Sequence, residues 1–228
     1  MNKASKNRLT PKQLPLFTGT TLFDKVARAV CRAGTLPRKE LYESWEVARR
    51  VRRRYRGGRV VDIAGGHGLL AHLMLLLDDS SAAAEVIDPN IPDNAAILSD
   101  TIIEAWPRLR DRIHYHQSSL EEFSLSADDL VVSVHACGFL TDDVLQKAVT
   151  VGARVAVLPC CHHLDGAATG GLEGWVDGPL AVDLMRAERL RLAGYTITTS
   201  TILADITPKN RLLMANPNPL QTTGTIHG

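Results

Sequence analysis

The chain has 228 residues, 45% of them hydrophobic and 22% charged, with a formal net charge of +1. These values allow one domain, or one with a small appendage, around a sizeable core, and they exclude a largely disordered chain. No apolar run approaches the ~20 residues needed to span a bilayer, so no membrane partner is expected. The basic opening stretch lacks an apolar signal region, and four cysteines, two of them adjacent, do not make a disulfide framework. A cytoplasmic, reducing compartment is the expectation.

Residues 1–17 are polar, basic and proline-containing, and are expected to be a flexible N-terminus. Apolar spacing at Leu22, Phe23, Val26, Ala27 and Val30 predicts a helix ending near Gly34. A second helix is expected from Pro37 to about Tyr55, stopped by Gly57-Gly58. Together they form a helical cap over 18–57, ahead of the first strand. The second helix ends in Arg49, Arg50, Arg52, Arg53, Arg54 and Arg56, with Arg59 beyond. Two readings of this cluster stand side by side. It is either a solvated face with cations favourable at a helix C-terminus, or a phosphate-binding patch in which Arg52, Arg53 and Arg54 contact a nucleic-acid substrate.

Val60-Val61-Asp62-Ile63 reads as a buried strand running into Ala64-Gly65-Gly66-His67-Gly68 and the apolar helix Leu69–Leu77. A second short apolar run, Val86-Ile87, ends in Asp88. Strand, glycine turn, helix, strand and carboxylate make the opening unit of a nucleotide-type fold. A helix over Ala95–Trp106 and strands over Arg112–His116, Asp129–Val134 and Arg154–Leu158 follow, with a helix over Asp143–Val149 between the last two. After the glycine-rich loop 166–178 come a helix over Pro179–Ala193 and two β-rich runs, Tyr195–Leu203 and Arg211–Ala215. The expected fold is α/β: a Rossmann-like, doubly wound, mostly parallel sheet over 58–216, with a terminal antiparallel hairpin. Residues 217–228 are expected to be a flexible tail. The hairpin favours the sheet variant of S-adenosylmethionine-dependent methyltransferases over a dinucleotide-binding domain.

Two strand ends carry the remaining chemistry. The fourth strand enters His135-Ala136-Cys137-Gly138 with Thr141-Asp142 beyond, and the fifth enters Pro159-Cys160-Cys161-His162-His163. In open α/β sheets the ligand crevice lies beyond the carboxyl ends of the strands. The two motifs together resemble one group of class I S-adenosylmethionine-dependent methyltransferase domains. That group includes the eukaryotic tRNA acceptor-stem 2′-O-methyltransferases and related bacterial domains. The resemblance spans roughly Trp45 to Ala215. It departs from the tRNA enzymes in lacking, before Cys31, the cysteines and histidines of their zinc module.

The resemblance implies S-adenosylmethionine as cofactor. Asp62, Ala64, Gly65, Gly66 and Gly68 would face its methionine part, Asp88 its ribose, and Ser118 and Ser119 its adenine. His135 would stand against the cofactor, with His135 and His162 as candidate bases. Cys160, His163, Lys209 and Asn210 are candidate substrate contacts, although the last two equally suit a turn. No metal is expected, because consecutive residues leaving a strand point in different directions. RNA, from tRNA or rRNA, is the expected substrate. The alternatives are a translation-related protein, or cofactor binding without catalysis.

Overall fold

The computed structural model describes residues 2–218. Seven strands form one sheet: β1 (Val60–Ile63), β2 (Ala84–Ile87), β3 (Ile113–His116), β4 (Leu130–Ser133), β5 (Arg154–Val157), β6 (Tyr195–Thr201) and β7 (Arg211–Pro217). Their spatial order is β3-β2-β1-β4-β5-β7-β6. The first five run parallel, while β7 lies antiparallel between β5 and β6. The expected sheet with its terminal hairpin is present. The strand order reverses between β1 and β4, which puts the crevice at their carboxyl ends.

Alternate residues of each strand feed opposite faces. Val60, Val86, Leu130, Val132 and Met214 join one core, and Val61, Ile63, Ile87, Val131 and Val155 the other. On the first face lie α1 (Leu22–Ala33), α2 (Arg38–Arg54), α3 (Leu69–Leu77) and α4 (Ala95–Ala105); on the second lie α5 (Leu140–Val151) and α6 (Gly178–Leu192). The α3 sequence, LLAHLMLLL, is apolar all round because it is sandwiched between the sheet and α2. Each fully buried leucine there contributes about 1.5–3 kcal/mol, which makes the cap an integral layer.

The Thr21 hydroxyl caps α1 by accepting from Asp24 N–H, and Gly34 ends the helix at φ 67°. Residues 2–17, expected to be flexible, instead pack on the cap. Leu9 and Phe17 are buried, Leu9 N–H donates to Leu36 O at 2.8 Å, and Lys3 reaches Asp205 at 2.8 Å. The apolar side chains of this stretch outweigh its polar composition. The β6–β7 connection also meets the cap, with Ile206 and Thr207 buried. The tail expected from 217 onward lies outside the described residues, apart from Pro217 and Asn218. Among the described residues, no helix is long and apolar enough to cross a membrane.

Candidate active site

Beyond β1 the chain turns through Ala64, at φ 55°, Gly66, at φ 50°, and Gly68, at φ 73°. A side chain at Gly66 would meet only open space, whereas a Cβ at Gly68 would lie 2.7 Å from the Tyr115 hydroxyl oxygen. Ala64 therefore holds a left-handed conformation that alanine adopts at a cost of about 1–2 kcal/mol, and neighbours pin the turn. Tyr115 Oη–H donates to His67 O at 2.9 Å, and Asp88 Oδ2 accepts from Gly66 N–H at 3.0 Å. His72 Nδ1 lies 2.7 Å from Gly68 O, with its Nε2 3.2 Å from Ser99 Oγ. Burial drives the His72 pKa down to about 4, so this ring is a neutral brace beneath the turn. Its sequence context, an apolar helix, gave no sign of that role.

Asp62 is fully desolvated, and its carboxylate accepts only from Ala71 N–H, at 3.2 Å. Burial, reinforced by the charge of Asp88, pushes its pKa up to about 8. Among the described residues, this carboxyl group has no cationic partner. It lines a small, partly open recess at the floor of the crevice, about 20 Å³, with Ala64, Gly65, His67, His135 and, from the cap, Leu36, Glu40 and Ser44. Glu40 was not anticipated from the sequence. Burial and the repulsion of Glu43 raise its carboxyl to about 7, in the range of a base poised for proton transfer. The only signal was its place in the first turn of α2, because the folding of the cap over the crevice is a long-range contact. His135 sits exposed at the same rim, where desolvation by the surrounding protein, with Lys39 nearby, holds its pKa below the ordinary value.

Further along the carboxyl edge, Asp88 also accepts from Asn90 N–H at 2.8 Å. Ser118 Oγ is buried without a hydrogen-bond partner among the described residues, and Ser119 N–H donates to Glu122 at 2.9 Å. The structure thus brings Asp62, the glycine turn and His135 into one cavity, with Asp88 bound to the turn.

Other sequence expectations are corrected. His162 is not at the cavity: its side chain is buried, with Nε2 2.7 Å from Asp183 Oδ1, which α6 supplies. Arg52 is 2% exposed and cannot reach a substrate. It donates to Met74 O at 2.9 Å and to Ser81 Oγ at 2.8 Å, and pairs with Asp78 at 3.2 Å. Arg53 and Arg54 are exposed, but they precede β1 and so lie at the amino ends of the strands, opposite the crevice. Of their neighbours, Arg49 and Arg50 pair with Glu46, Arg56 with Asp78 and Arg59 with Asp129.

Asn210 Nδ2–H donates to Ile202 O at 3.1 Å, which makes it a turn-builder. Lys209 is exposed and close enough to Cys137 to favour its thiolate. His163 is exposed, stacked on Phe139 with ring centroids 6.3 Å apart. Cys160 is half-buried, while Cys137 and Cys161 are exposed.

Residues 39–165, more than half of the chain, match a family described as a methyltransferase domain. The chain belongs to this family. No curated protein matches it. Among solved structures, it is similar to the S-adenosylmethionine-dependent methyltransferase SibL, at 20% identity and TM-score 0.52, covering 92% of this chain and 66% of that one. It is also similar to the B. subtilis tRNA methyltransferase TrmK, at 16% identity and TM-score 0.51, covering 76% and 66%. A third similar structure is a fibrillarin–Nop5p complex, at 11% identity and TM-score 0.51, covering 78% and 84%. These likenesses establish the methyltransferase fold. The narrower tRNA 2′-O-methyltransferase grouping is not distinguished by them.

Proposed function

We propose that the chain is an S-adenosylmethionine-dependent methyltransferase acting on RNA. The observation that carries the cofactor reading is the desolvated Asp62 carboxyl beside a glycine turn that opens at Gly66, with Asp88 held against that turn. The residues fit the cofactor. Asp62 offers a carboxylate to a cation, Gly66 leaves room for a ligand, Asp88 keeps acceptor capacity for ribose hydroxyls, and the orphaned Ser118 Oγ offers a partner for a base. When bound, S-adenosylmethionine supplies an electrophilic methyl group on a positively charged sulfur.

The protein's part is orientation and proton removal. Holding donor and acceptor in line accounts for most of the acceleration. A base adds about 10²–10⁴, and Glu40 and His135, which line the recess, are suited to it. His162 is withdrawn from that role by Asp183.

The RNA reading now rests on cations at the mouth of the crevice instead of the α2 arginines. Arg8 acts electrostatically on His67, Lys39 on His135 and Lys209 on Cys137. Arg8 and Lys209 are exposed, whereas Lys39 is paired with Glu43 at 3.1 Å; exposed cations close to groups at the strand ends suit a polyanion. The RNA activity of the structurally similar TrmK agrees with this reading. The test is incubation with labelled S-adenosylmethionine and separated RNA and protein fractions from a lysate. Label in RNA, declining steeply with salt, supports the reading; label in protein alone overturns the RNA assignment and leaves methyl transfer standing.

A further inference from the structure

Where β4 and β5 end, three thiols converge. Cys137 follows β4, and Cys160 and Cys161 follow β5. All three sulfurs lie within 4.8 Å of one another, with Cys137 Sγ and Cys160 Sγ 2.7 Å apart. The two loops are fastened together. Gly138 N–H donates to Cys161 O at 3.0 Å, and the buried Arg186 donates to Gly138 O at 3.1 Å while pairing with Asp142 at 2.6 Å. Gly138, at φ 61°, is required here, since a Cβ would lie 2.2 Å from the His163 ring. The thiols are therefore brought together by a braced backbone.

We propose that Cys137, Cys160 and Cys161 form a binding site for a soft divalent metal, zinc in particular. Thiolates select such ions, and tetrahedral coordination at Zn–S of about 2.3 Å places sulfurs roughly 3.8 Å apart. Cys137 and Cys160 need to separate by about 1 Å to reach that spacing, within the reach of side-chain rotation. Three thiolates together want a compensating cation. Although Cys160 and Cys161 are consecutive residues leaving β5, their sulfurs converge with that of Cys137 from the neighbouring strand end. Cys137 and Cys161 are exposed, so the fourth position faces solvent and accepts water or an external ligand.

The test uses the full chain, purified under reducing conditions, with zinc measured by elemental analysis and cobalt as a spectroscopic substitute. Expected are about one tightly held zinc per chain, sulfur-to-cobalt charge-transfer absorption with strong tetrahedral bands, and loss of both in Cys161→Ser. Far-UV dichroism and melting check the fold of that variant. Should it fail to fold, chelator extraction of the wild-type chain followed by zinc titration gives the same answer. A folded, fully reduced chain that retains no zinc and shows no charge-transfer band with cobalt overturns the site. Neither result depends on methyl transfer, so this proposal and the functional one fail separately.

Discussion

At the scale of single residues, Asp62 carries the most weight. Its folded pKa of about 8 lies far above the roughly 3.9 of an unfolded chain, so the folded state binds the proton more tightly. That contribution to stability is complete at low pH and is lost as pH rises through about 8. Asp62→Asn removes it, so the melting temperature of the variant should gain on the wild type between pH 5 and 8; a constant gap contradicts the assignment. The same substitution should weaken S-adenosylmethionine binding about 10–100-fold, since a hydrogen bond to a charged group contributes about 1.5–3 kcal/mol. Glu40 makes a second prediction. If it removes the acceptor's proton, turnover rises with pH around 7, and Glu40→Gln flattens that limb while lowering kcat by about 10²-fold or more. A profile unchanged in Glu40→Gln but abolished in His135→Ala assigns the base to His135.

At the scale of elements, α2 shows where composition misleads. Seven arginines within eleven residues read as a patch, yet five have acidic partners. The decisive partner of Arg52, Asp78, lies at the end of α3, a long-range contact that no local pattern reveals. Burial disfavours ionised Asp78, but bonds from Ser80 and Gly57 and the charge of Arg52 hold its pKa at about 2. Arg52→Ala removes one partner of Asp78, which keeps Arg56, Gly57 and Ser80, and also the bonds to Met74 O and Ser81 Oγ, and should cost about 1–3 kcal/mol in denaturant unfolding. Arg53→Ala and Arg54→Ala should stay within about 0.5 kcal/mol and leave RNA affinity nearly unchanged. A large affinity loss in those two would return the amino-end face to consideration.

At the scale of the molecule, the sheet was legible because its strands are short buried apolar runs separated by helical spacing, and Asp62, the glycine turn and Asp88 stood at strand ends. The strand order was not, since β7 inserts between β5 and β6 through pairings remote in sequence. Nor was the cap's place over the crevice, which brings Leu36 and Glu40 against Asp62. His162 was misread because a histidine after a strand can turn toward either side, and Asp183 on α6 decided which.

The crevice beyond β1, with Asp62 at its floor, is the proposed seat of the sulfonium cofactor. Calorimetric titration of the folded chain with S-adenosylmethionine, repeated with Asp62→Asn, tests it most directly. One cofactor per chain, bound more tightly as pH rises toward 8 and weakened in the variant, is the predicted result. No heat of binding at millimolar cofactor, or equal affinity in both proteins, would contradict it.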